Sequence, residues 1–173
     1  MLQVAPEPEI ESRFRSIVGS DYVSVDLAFG RAGLSASIEE LPFGSGSFDL
    51  VYCSHVLEHV TDDEAAMREL RRVVSDDGAA VILVPITADE TWGDPSIVDE
   101  DERTRLFGQH DHVRVYGMDV VDRLERSGWE VTVVSVEDLG ADPVRRFGLP
   151  SHEITRPAGD VFVCRPAEAP ADG

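Results

Sequence analysis

Apolar and polar positions follow one another in blocks that predict strands and helices in turn. Short apolar runs predict buried strands, and apolar residues at helical spacing predict amphipathic helices. The predicted strands cover residues 2–5, 22–25, 34–36, 48–53, 79–84, 129–136 and 160–164, and the predicted helices cover 9–18, 62–74, 99–107 and 118–127, with a helical turn at 143–147. No helix is predicted between the last two strands, so we expect them to form an antiparallel pair at one edge of an α/β sheet.

The clearest unit of the pattern runs from Ile38 to Ile86. It contains the turn LPF, a strand beginning SFD, a polar SHVLEH elbow, a helix ending in LRRVV, a DDG turn and a second apolar strand. Two buried strands joined by a helix indicate parallel neighbours in a sheet.

These words, LPF, SFD, LEH and LRRVV in that order, resemble the class I S-adenosylmethionine (SAM) dependent methyltransferases, most closely their small-molecule type 11 branch. The resemblance implies a Rossmann-like α/β fold of seven strands in the order 3-2-1-4-5-7-6, with strand 7 antiparallel. It also implies SAM as the cofactor. Members usually carry helices before the first strand, whereas this chain begins at a strand, so we expect an open pocket.

Length and composition limit the number of domains and the compartment. The 173 residues suffice for one domain, which we place at residues 1–165, followed by a disordered tail at 166–173. No apolar run approaches the roughly 18 residues of a membrane span, and no basic leader with an apolar core follows Met1. Cys53 and Cys164 do not form a CxxC pair, which favours a reducing, cytoplasmic setting.

The charge is strongly negative. Fifteen basic residues, all of them arginine, face thirty-four acidic ones, which gives a net charge of −19. Such a surface repels phosphate backbones, so we expect no nucleic-acid partner. Codon bias of a GC-rich genome and adaptation to a salty cytosol explain this composition equally well, and both interpretations stay open.

The ends of three strands are the predicted cofactor site. Ligands of open parallel sheets bind beyond the carboxyl ends of the strands. Those ends present Ala5 and Glu7 after strand one, Asp26 and Leu27 after strand two, and Ser54 and His55 after strand four. The resemblance implies that Asp26 accepts hydrogen bonds from the ribose hydroxyls of SAM. The alternative is a solvated Asp that ends a strand.

The turn after strand one departs from the family. The D-x-G-x-G turn of the family is absent, and VAPEPE stands in its place. Pro6 and Pro8 remove two N–H donors and stiffen the turn. The sequence resembles a methyltransferase-like subgroup with a V-A-P-E turn, in which Pro8 would open the helix and Glu7 would meet the α-amino group of SAM. The alternative is a degenerate cofactor site on a retained fold.

The loop before LPF is the predicted adenine contact. Many relatives have Asp where this chain has Ser37, and the resemblance implies that Ile38 packs on the adenine ring. An ordinary connection from strand to turn is the alternative.

The SHVLEH elbow places His55 and His59 four residues apart, with Glu58 between them. The zincin helix is H-E-x-x-H, with Glu directly after the first His, so this order argues against a metal pair. We expect His59 to be structural and no metal to bind. His55 is able to face the pocket and accept a proton.

The segment GQHDHVRVYG, residues 108–117, supplies the substrate-side candidates. In an extended chain His110, His112, Arg114 and Tyr116 would share one face. Such a face would hold an anionic or hydroxylated small molecule, with His110 or His112 as the general base. A structural loop tied down by Asp111 and a metal site are the alternatives.

Together these features predict a methyltransferase that acts on a small molecule, without a nucleic-acid or membrane partner and with an open oligomeric state. The alternative is a non-catalytic, methyltransferase-like binding or regulatory protein. The missing glycines and the missing leading helices favour that alternative.

Overall fold

The computed structural model describes residues 1–140 and 160–168. The strands are β1 Leu2–Val4, β2 Val23–Asp26, β3 Leu34–Ser35, β4 Phe48–Ser54, β5 Val74–Leu83, β6 Trp92–Gly93, β7 Arg114–Val115, β8 Trp129–Val134 and β9 Val161–Pro166. The helices are α1 Pro8–Val18, α2 Asp63–Val73, α3 Glu100–Phe107 and α4 Val120–Arg126, with 3₁₀ turns at Gly19–Asp21 and Val136–Leu139. Within the described ranges no helix is long and apolar enough to cross a bilayer. The predicted helical turn at 143–147 and the chain beyond residue 168 lie outside the described residues.

One sheet of seven strands organises the chain in the order β3-β2-β1-β4-β5-β9-β8. The strands β1 to β5 run parallel to one another, while β9 is antiparallel to both β5 and β8. Numbered among themselves, these seven strands follow the predicted order 3-2-1-4-5-7-6, so the predicted fold class is confirmed. The sequence did not predict β6 and β7, which form a separate two-stranded ribbon.

The core lies between the sheet and α2. Ala66, Met67, Leu70 and Val73 recur at helical spacing on α2, and all four are fully buried. Full burial of a side chain the size of Leu or Met contributes roughly 1.5–3 kcal/mol. This single face of α2 therefore anchors the helix that follows the SHVLEH elbow.

Local side-chain interactions and proline geometry explain where helices α1 and α2 begin. The Asp62 carboxylate accepts a hydrogen bond from the backbone N–H of Ala65 at 2.8 Å and caps α2. Pro8 occupies the first turn of α1, where its missing N–H costs nothing. The helix thus begins one residue before the predicted start at Glu9.

The prediction of a turn at Asp76, Asp77 and Gly78 is wrong. Strand β5 begins at Val74, directly after α2, and continues through Asp77 and Gly78. Its pairing with β4 jumps from Phe48↔Val74 to Leu50↔Ala79, so the extra residues bulge out of the ladder. A Cβ at Gly78 would stand 2.9 Å from the Asp49 carbonyl oxygen, which explains why glycine occupies this close approach.

The end of the sheet also differs slightly from the prediction. The last strand was expected to end at Cys164, but β9 runs to Pro166, which pairs with Trp129. The backbone N–H of Ala167 then donates to the Gly128 carbonyl at 3.0 Å. Ordered pairing therefore extends past the predicted domain boundary at residue 165.

Candidate functional site

Three predicted cofactor-binding positions lie side by side at one edge of the sheet. Val4 is in register with Val25 on one neighbouring strand and with Cys53 on the other. The next residues along these parallel strands are Ala5, Asp26 and Ser54. The fold thus brings the ends of β1, β2 and β4 together, as the sequence predicted.

Two residues at this edge have an unusual backbone conformation. Ala5 has φ 45° and His55 has φ 53°, and within the described ranges they are the non-glycine residues with positive φ. The backbone N–H of Ala5 donates to the Val25 carbonyl at 2.8 Å, and that of His55 donates to the Leu83 carbonyl at 3.0 Å. The left-handed region costs an L-residue about 1–2 kcal/mol, and such outliers cluster at functional sites. The turn without glycine therefore still reaches the conformation that glycine favours.

Asp26 is the last residue of β2, and one of its two carboxylate oxygens accepts a hydrogen bond. One oxygen, Oδ1, accepts the backbone N–H of Ala28 at 2.7 Å, and no described residue donates to the other. The following apolar side chains are open, since Leu27 is 77% exposed and Phe29 is 95% exposed. Sequence analysis missed Phe29; the signal was a large apolar residue inside a glycine-containing loop next to Asp26.

Glu7 and His55 come within electrostatic reach across the edge. The Glu7 carboxylate accepts a long hydrogen bond from the Gln3 amide at 3.4 Å. The hydrogen bond between His55 Nδ1 and Glu58, at 3.2 Å, raises the pKa of His55. Burial opposes this rise, while the negative charges of Glu58 and Glu7 add to it. The edge is thus acidic around an imidazole that is half exposed.

The loop at Ser37 and Ile38, predicted to contact adenine, does not expose its side chains as expected. Ile38 is only 5% exposed and belongs to the hydrophobic core, which corrects the prediction that it packs on an adenine ring. The Ser37 hydroxyl accepts the backbone N–H of Glu39 at 3.2 Å and lies 3.3 Å from its carboxylate. Ser54, at the end of β4, is also buried. The side chains of Ile38 and Ser54 are therefore turned away from solvent, while Ser37 is partly exposed.

The segment 108–117 does not form the predicted continuous face. His110 lies exposed on the turn after α3, while His112 is half-buried. The backbone of the next residue, Val113, donates to the Glu58 carbonyl at 2.9 Å. Only Arg114 and Val115 are extended, because they pair with β6. The two histidines therefore occupy different environments.

Arg114 and Tyr116 are structural in this fold, which corrects their predicted role in substrate binding. The guanidinium of Arg114 is buried and donates to the backbone carbonyls of Leu57, Val60 and Thr61, in the loop before α2. The fully buried Tyr116 hydroxyl donates to the Asp63 carboxylate at 2.8 Å. Their polar ends are engaged by the elbow and by α2, which they hold in place.

Asp63 is the centre of this buried network, and sequence analysis missed it. Arg123 donates to both of its oxygens, at 2.7 and 3.1 Å. Burial alone would raise the pKa of Asp63, but the hydrogen bond from Arg123, the charge of Arg114 and the Tyr116 hydroxyl outweigh burial and lower it. An Asp in the first turn of a helix is common, so the sequence carried no specific signal.

The structure also joins two histidines from separate motifs. The rings of His59 and His112 meet edge to face with centroids 4.7 Å apart. Glu58 completes a group whose ligand atoms all lie within 4.8 Å of one another. Sequence analysis had paired His55 with His59 and His110 with His112, and neither of those pairs is the one that forms.

Comparisons with known proteins agree with this geometry. Residues 8–82 match the family Methyltransf_11, described as a methyltransferase domain. The ubiquinone/menaquinone biosynthesis C-methyltransferase UbiE of Xanthomonas campestris is 40% identical over 81 residues, which cover 46% of this chain and 27% of that protein. The chain spans about a quarter of the length of the first curated relatives that it matches.

Solved structures show the same fold across the whole sheet. A SAM-dependent methyltransferase from Mesorhizobium loti superposes with a TM-score of 0.66 at 16% identity, covering 95% of this chain and 89% of that one. The 1,6-didemethyltoxoflavin-N1-methyltransferase of Burkholderia thailandensis, with bound S-adenosylhomocysteine, gives 0.64 at 14% identity, covering 96% and 70%. Over α1 to β5 the chain is thus similar to the methyltransferase-domain family, and it shares the fold of these solved SAM-dependent methyltransferase structures.

Proposed function

We propose that this protein is a SAM-dependent methyltransferase acting on a small-molecule acceptor. The observation that carries the proposal is the meeting of Ala5, Asp26 and His55 at one edge of a class I sheet, with positive φ at two of them. Backbone outliers of this kind persist where the surrounding structure imposes them, and they favour close approach of a ligand to the backbone.

The residues at this edge fit SAM. The free oxygen of Asp26 suits the ribose hydroxyls, and the exposed Leu27 and Phe29 offer apolar surface for the adenine ring. Glu7 supplies a negative charge for the α-amino group. When bound, SAM supplies an electrophilic methyl group on its sulfonium. The protein's part is to align an acceptor with that methyl group and to exclude water.

His55 is the side chain best placed to accept the acceptor's proton. Its Nδ1 is engaged by Glu58 at 3.2 Å, which leaves Nε2 open on a half-exposed ring at the end of β4. A carboxylate that orients an imidazole in this way is a recurring arrangement for general bases. His110 and His112 stay candidate bases, but neither directly follows a strand of the main sheet.

The charges of the protein favour some methyl acceptors over others. With Arg114 buried, the segment 108–117 no longer supplies an exposed guanidinium for an anion. The net charge of −19 disfavours anionic molecules. We therefore propose a neutral or cationic acceptor, an amine or a hydroxyl compound, and the relatives that include N- and C-methyltransferases are compatible with this class.

Calorimetric titration with SAM and S-adenosylhomocysteine tests the cofactor site. Asp26→Ala removes a charged hydrogen-bond acceptor worth roughly 1.5–3 kcal/mol, so affinity should fall about 10- to 100-fold. Asp21→Ala, in the 3₁₀ turn that precedes β2, is the matched control and should bind like wild type. A wild-type protein that binds neither compound would contradict the proposal.

Turnover separates the enzyme from a non-catalytic binding protein. Release of S-adenosylhomocysteine would be measured with a panel of amines and phenols. His55→Gln should lower kcat while leaving SAM affinity nearly intact, because the role is on the acceptor side. If SAM binds and no panel member is methylated, the non-catalytic alternative gains support.

A further inference from the structure

Glu58, His59 and His112 form a cluster that lies apart from the Ala5 and Asp26 positions of the proposed cofactor site and shares only Glu58, through its other oxygen, with His55. Glu58 and His59 belong to the elbow after β4, while His112 follows α3 more than fifty positions later in the chain. One possible ligand atom from each residue lies within 4.8 Å of the other two. Two imidazoles and one carboxylate are a ligand set typical of divalent transition metals.

Hydrogen bonds fix both imidazoles in the form that binds metal. His112 Nδ1 lies 3.2 Å from the Phe107 carbonyl oxygen, which can only accept, so this nitrogen carries the proton. His59 Nδ1 lies 3.3 Å from both the backbone oxygen and the Oδ2 of Asp111, so it donates as well. In both rings the lone pair is therefore on Nε2. Metal-bound histidines almost always donate their other nitrogen to a carbonyl or carboxylate in this way.

The carboxylate of Glu58 has an oxygen that lacks a partner. Glu58 is 1% exposed; its Oε1 bonds to His55, while its Oε2 is buried without a hydrogen-bond partner. An unpaired buried carboxylate oxygen is costly, and buried charges are normally paired or bound to a metal. This oxygen therefore points to a cation, independently of the two histidines.

We propose that Glu58 Oε2, His59 Nε2 and His112 Nε2 bind one divalent transition-metal ion of the Zn²⁺ class. Three atoms within 4.8 Å of one another have a common point no more than about 2.8 Å from each, whereas Zn–N and Zn–O distances are about 2.0–2.2 Å. Small side-chain movements bring one ligand atom of each residue to such a distance. Three protein ligands leave at least one coordination position for water or a small molecule.

Charge and access agree with a cation site. Two neutral imidazoles and one carboxylate give the ligand set a charge of −1, and Asp111 adds a second negative charge beside His59. The side chain of His59 is 30% exposed, so the cluster is reachable from solvent on that side.

Metal binding to the whole, untagged chain tests the proposal without any activity assay, so it stands apart from the proposed methyl transfer. The protein is treated with a chelator, freed of it, and titrated with Co²⁺ and Zn²⁺. We expect one Zn²⁺ per chain, visible Co²⁺ absorption bands that Zn²⁺ abolishes, and a higher melting temperature with Zn²⁺. Mg²⁺ is the control for the acidic surface, because a His-containing site prefers Zn²⁺.

Variants identify the ligands. His59→Gln, His112→Gln and Glu58→Gln should each lower Zn²⁺ affinity more than a hundredfold. Asp111→Asn, which changes a carboxylate partner of His59 and of Gln109 but no proposed ligand, should lower it about 10- to 100-fold. His110→Gln is the matched control, since this exposed histidine two residues from His112 lies outside the cluster and should leave affinity unchanged.

Three results would overturn the proposal. The first is a wild-type protein that binds Zn²⁺ no more tightly than Mg²⁺. The second is tight binding that survives both His59→Gln and His112→Gln. The third is equal loss in His110→Gln, which would indicate nonspecific binding. Circular dichroism checks that each variant is folded. Because the side chain of His59 is partly exposed, we expect His59→Gln to disturb the fold least of the three ligand variants.

Discussion

At the scale of single residues, the backbone at Ala5 is the feature that replaces a glycine-rich turn. Its φ of 45° is sterically unfavourable for a side chain with a Cβ, yet the hydrogen bond to Val25 holds it. His55 shows the same conformation at the end of β4. Two residues at the candidate cofactor edge thus have a strained backbone conformation.

Replacing Ala5 by glycine should relieve this strain. We expect Ala5→Gly to raise the free energy of unfolding by up to about 1 kcal/mol, because glycine adopts positive φ without the left-handed penalty. Ala65→Gly, inside α2, is the control and should lower it by about 0.5–1 kcal/mol. Urea denaturation measures both variants. Equal destabilisation by the two substitutions would show that Ala5 is not strained.

At the scale of elements, Arg114 fastens β7 to the loop that leads into α2. It donates at 2.6 Å to Leu57 and at 3.0 Å to Thr61, and it also donates to Val60. This loop carries Glu58 and His59, so one guanidinium positions the elbow of the candidate site. The planar fork of arginine reaches several carbonyls at once, which a lysine ammonium does not reproduce.

Arg114→Lys should therefore destabilise the protein by about 1.5–3 kcal/mol, since charged hydrogen bonds to buried carbonyls are lost. The measurement is urea denaturation at neutral pH. Arg105→Lys, on the exposed surface of α3, is the control and should change stability little. A small effect at position 114 would mean that the loop holds its shape without the guanidinium.

The Asp63 network links α2, α4 and the segment after β7, and its stability should depend on pH. Its folded-state pKa is lowered because the interactions with Arg123, Arg114 and Tyr116 exceed the opposing effect of burial. A depressed carboxylate pKa contributes stability above the unfolded value near 3.8, and this stability is lost as pH falls through the folded pKa.

Asp63→Asn should consequently cost about 3–5 kcal/mol at pH 7, because it leaves buried arginines without their partner. The difference in unfolding free energy between wild type and variant should shrink as pH falls below about 4. Chemical denaturation across pH 2.5–7 measures it. A constant difference over that range would contradict the assignment of a lowered pKa to Asp63.

At the scale of the whole molecule, the net charge of −19 is the property with the largest expected effect on folding stability. Repulsion among exposed carboxylates opposes the compact state, and dissolved salt screens it. Whether the composition reflects codon bias or a salty cytosol depends on how strongly the fold responds to salt.

Melting temperature should rise markedly from dilute buffer to molar KCl, because screening weakens the repulsion between like charges. An uncharged osmolyte at the same concentration is the control for general solvent effects and should stabilise less. If the melting temperature does not change with KCl, codon bias is the better explanation of the composition.

The amino-acid sequence by itself determined the order of strands and helices, the seven-stranded sheet and the edge where Ala5, Asp26 and Ser54 meet. The succession of elements along the chain follows from hydrophobic periodicity and from rules for parallel sheets. The order of the strands in the sheet, and with it the meeting of these three residues, was implied by the resemblance to the methyltransferase family. The start of α1 was predicted to within one residue, since Pro8 occupies the first turn of the helix that was expected to begin at Glu9.

Only the tertiary structure decided which side chains face a ligand and which are buried. Alternation placed Arg114 and Tyr116 on an open face, but the loop from Leu57 to Thr61 covers them. Spacing paired the histidines within their motifs, whereas the fold brings His59 into contact with His112 and with the Asp111 backbone, which lies 52 residues away along the chain. Local patterns carry no information about such distant neighbours, because burial and partner choice depend on how whole elements pack.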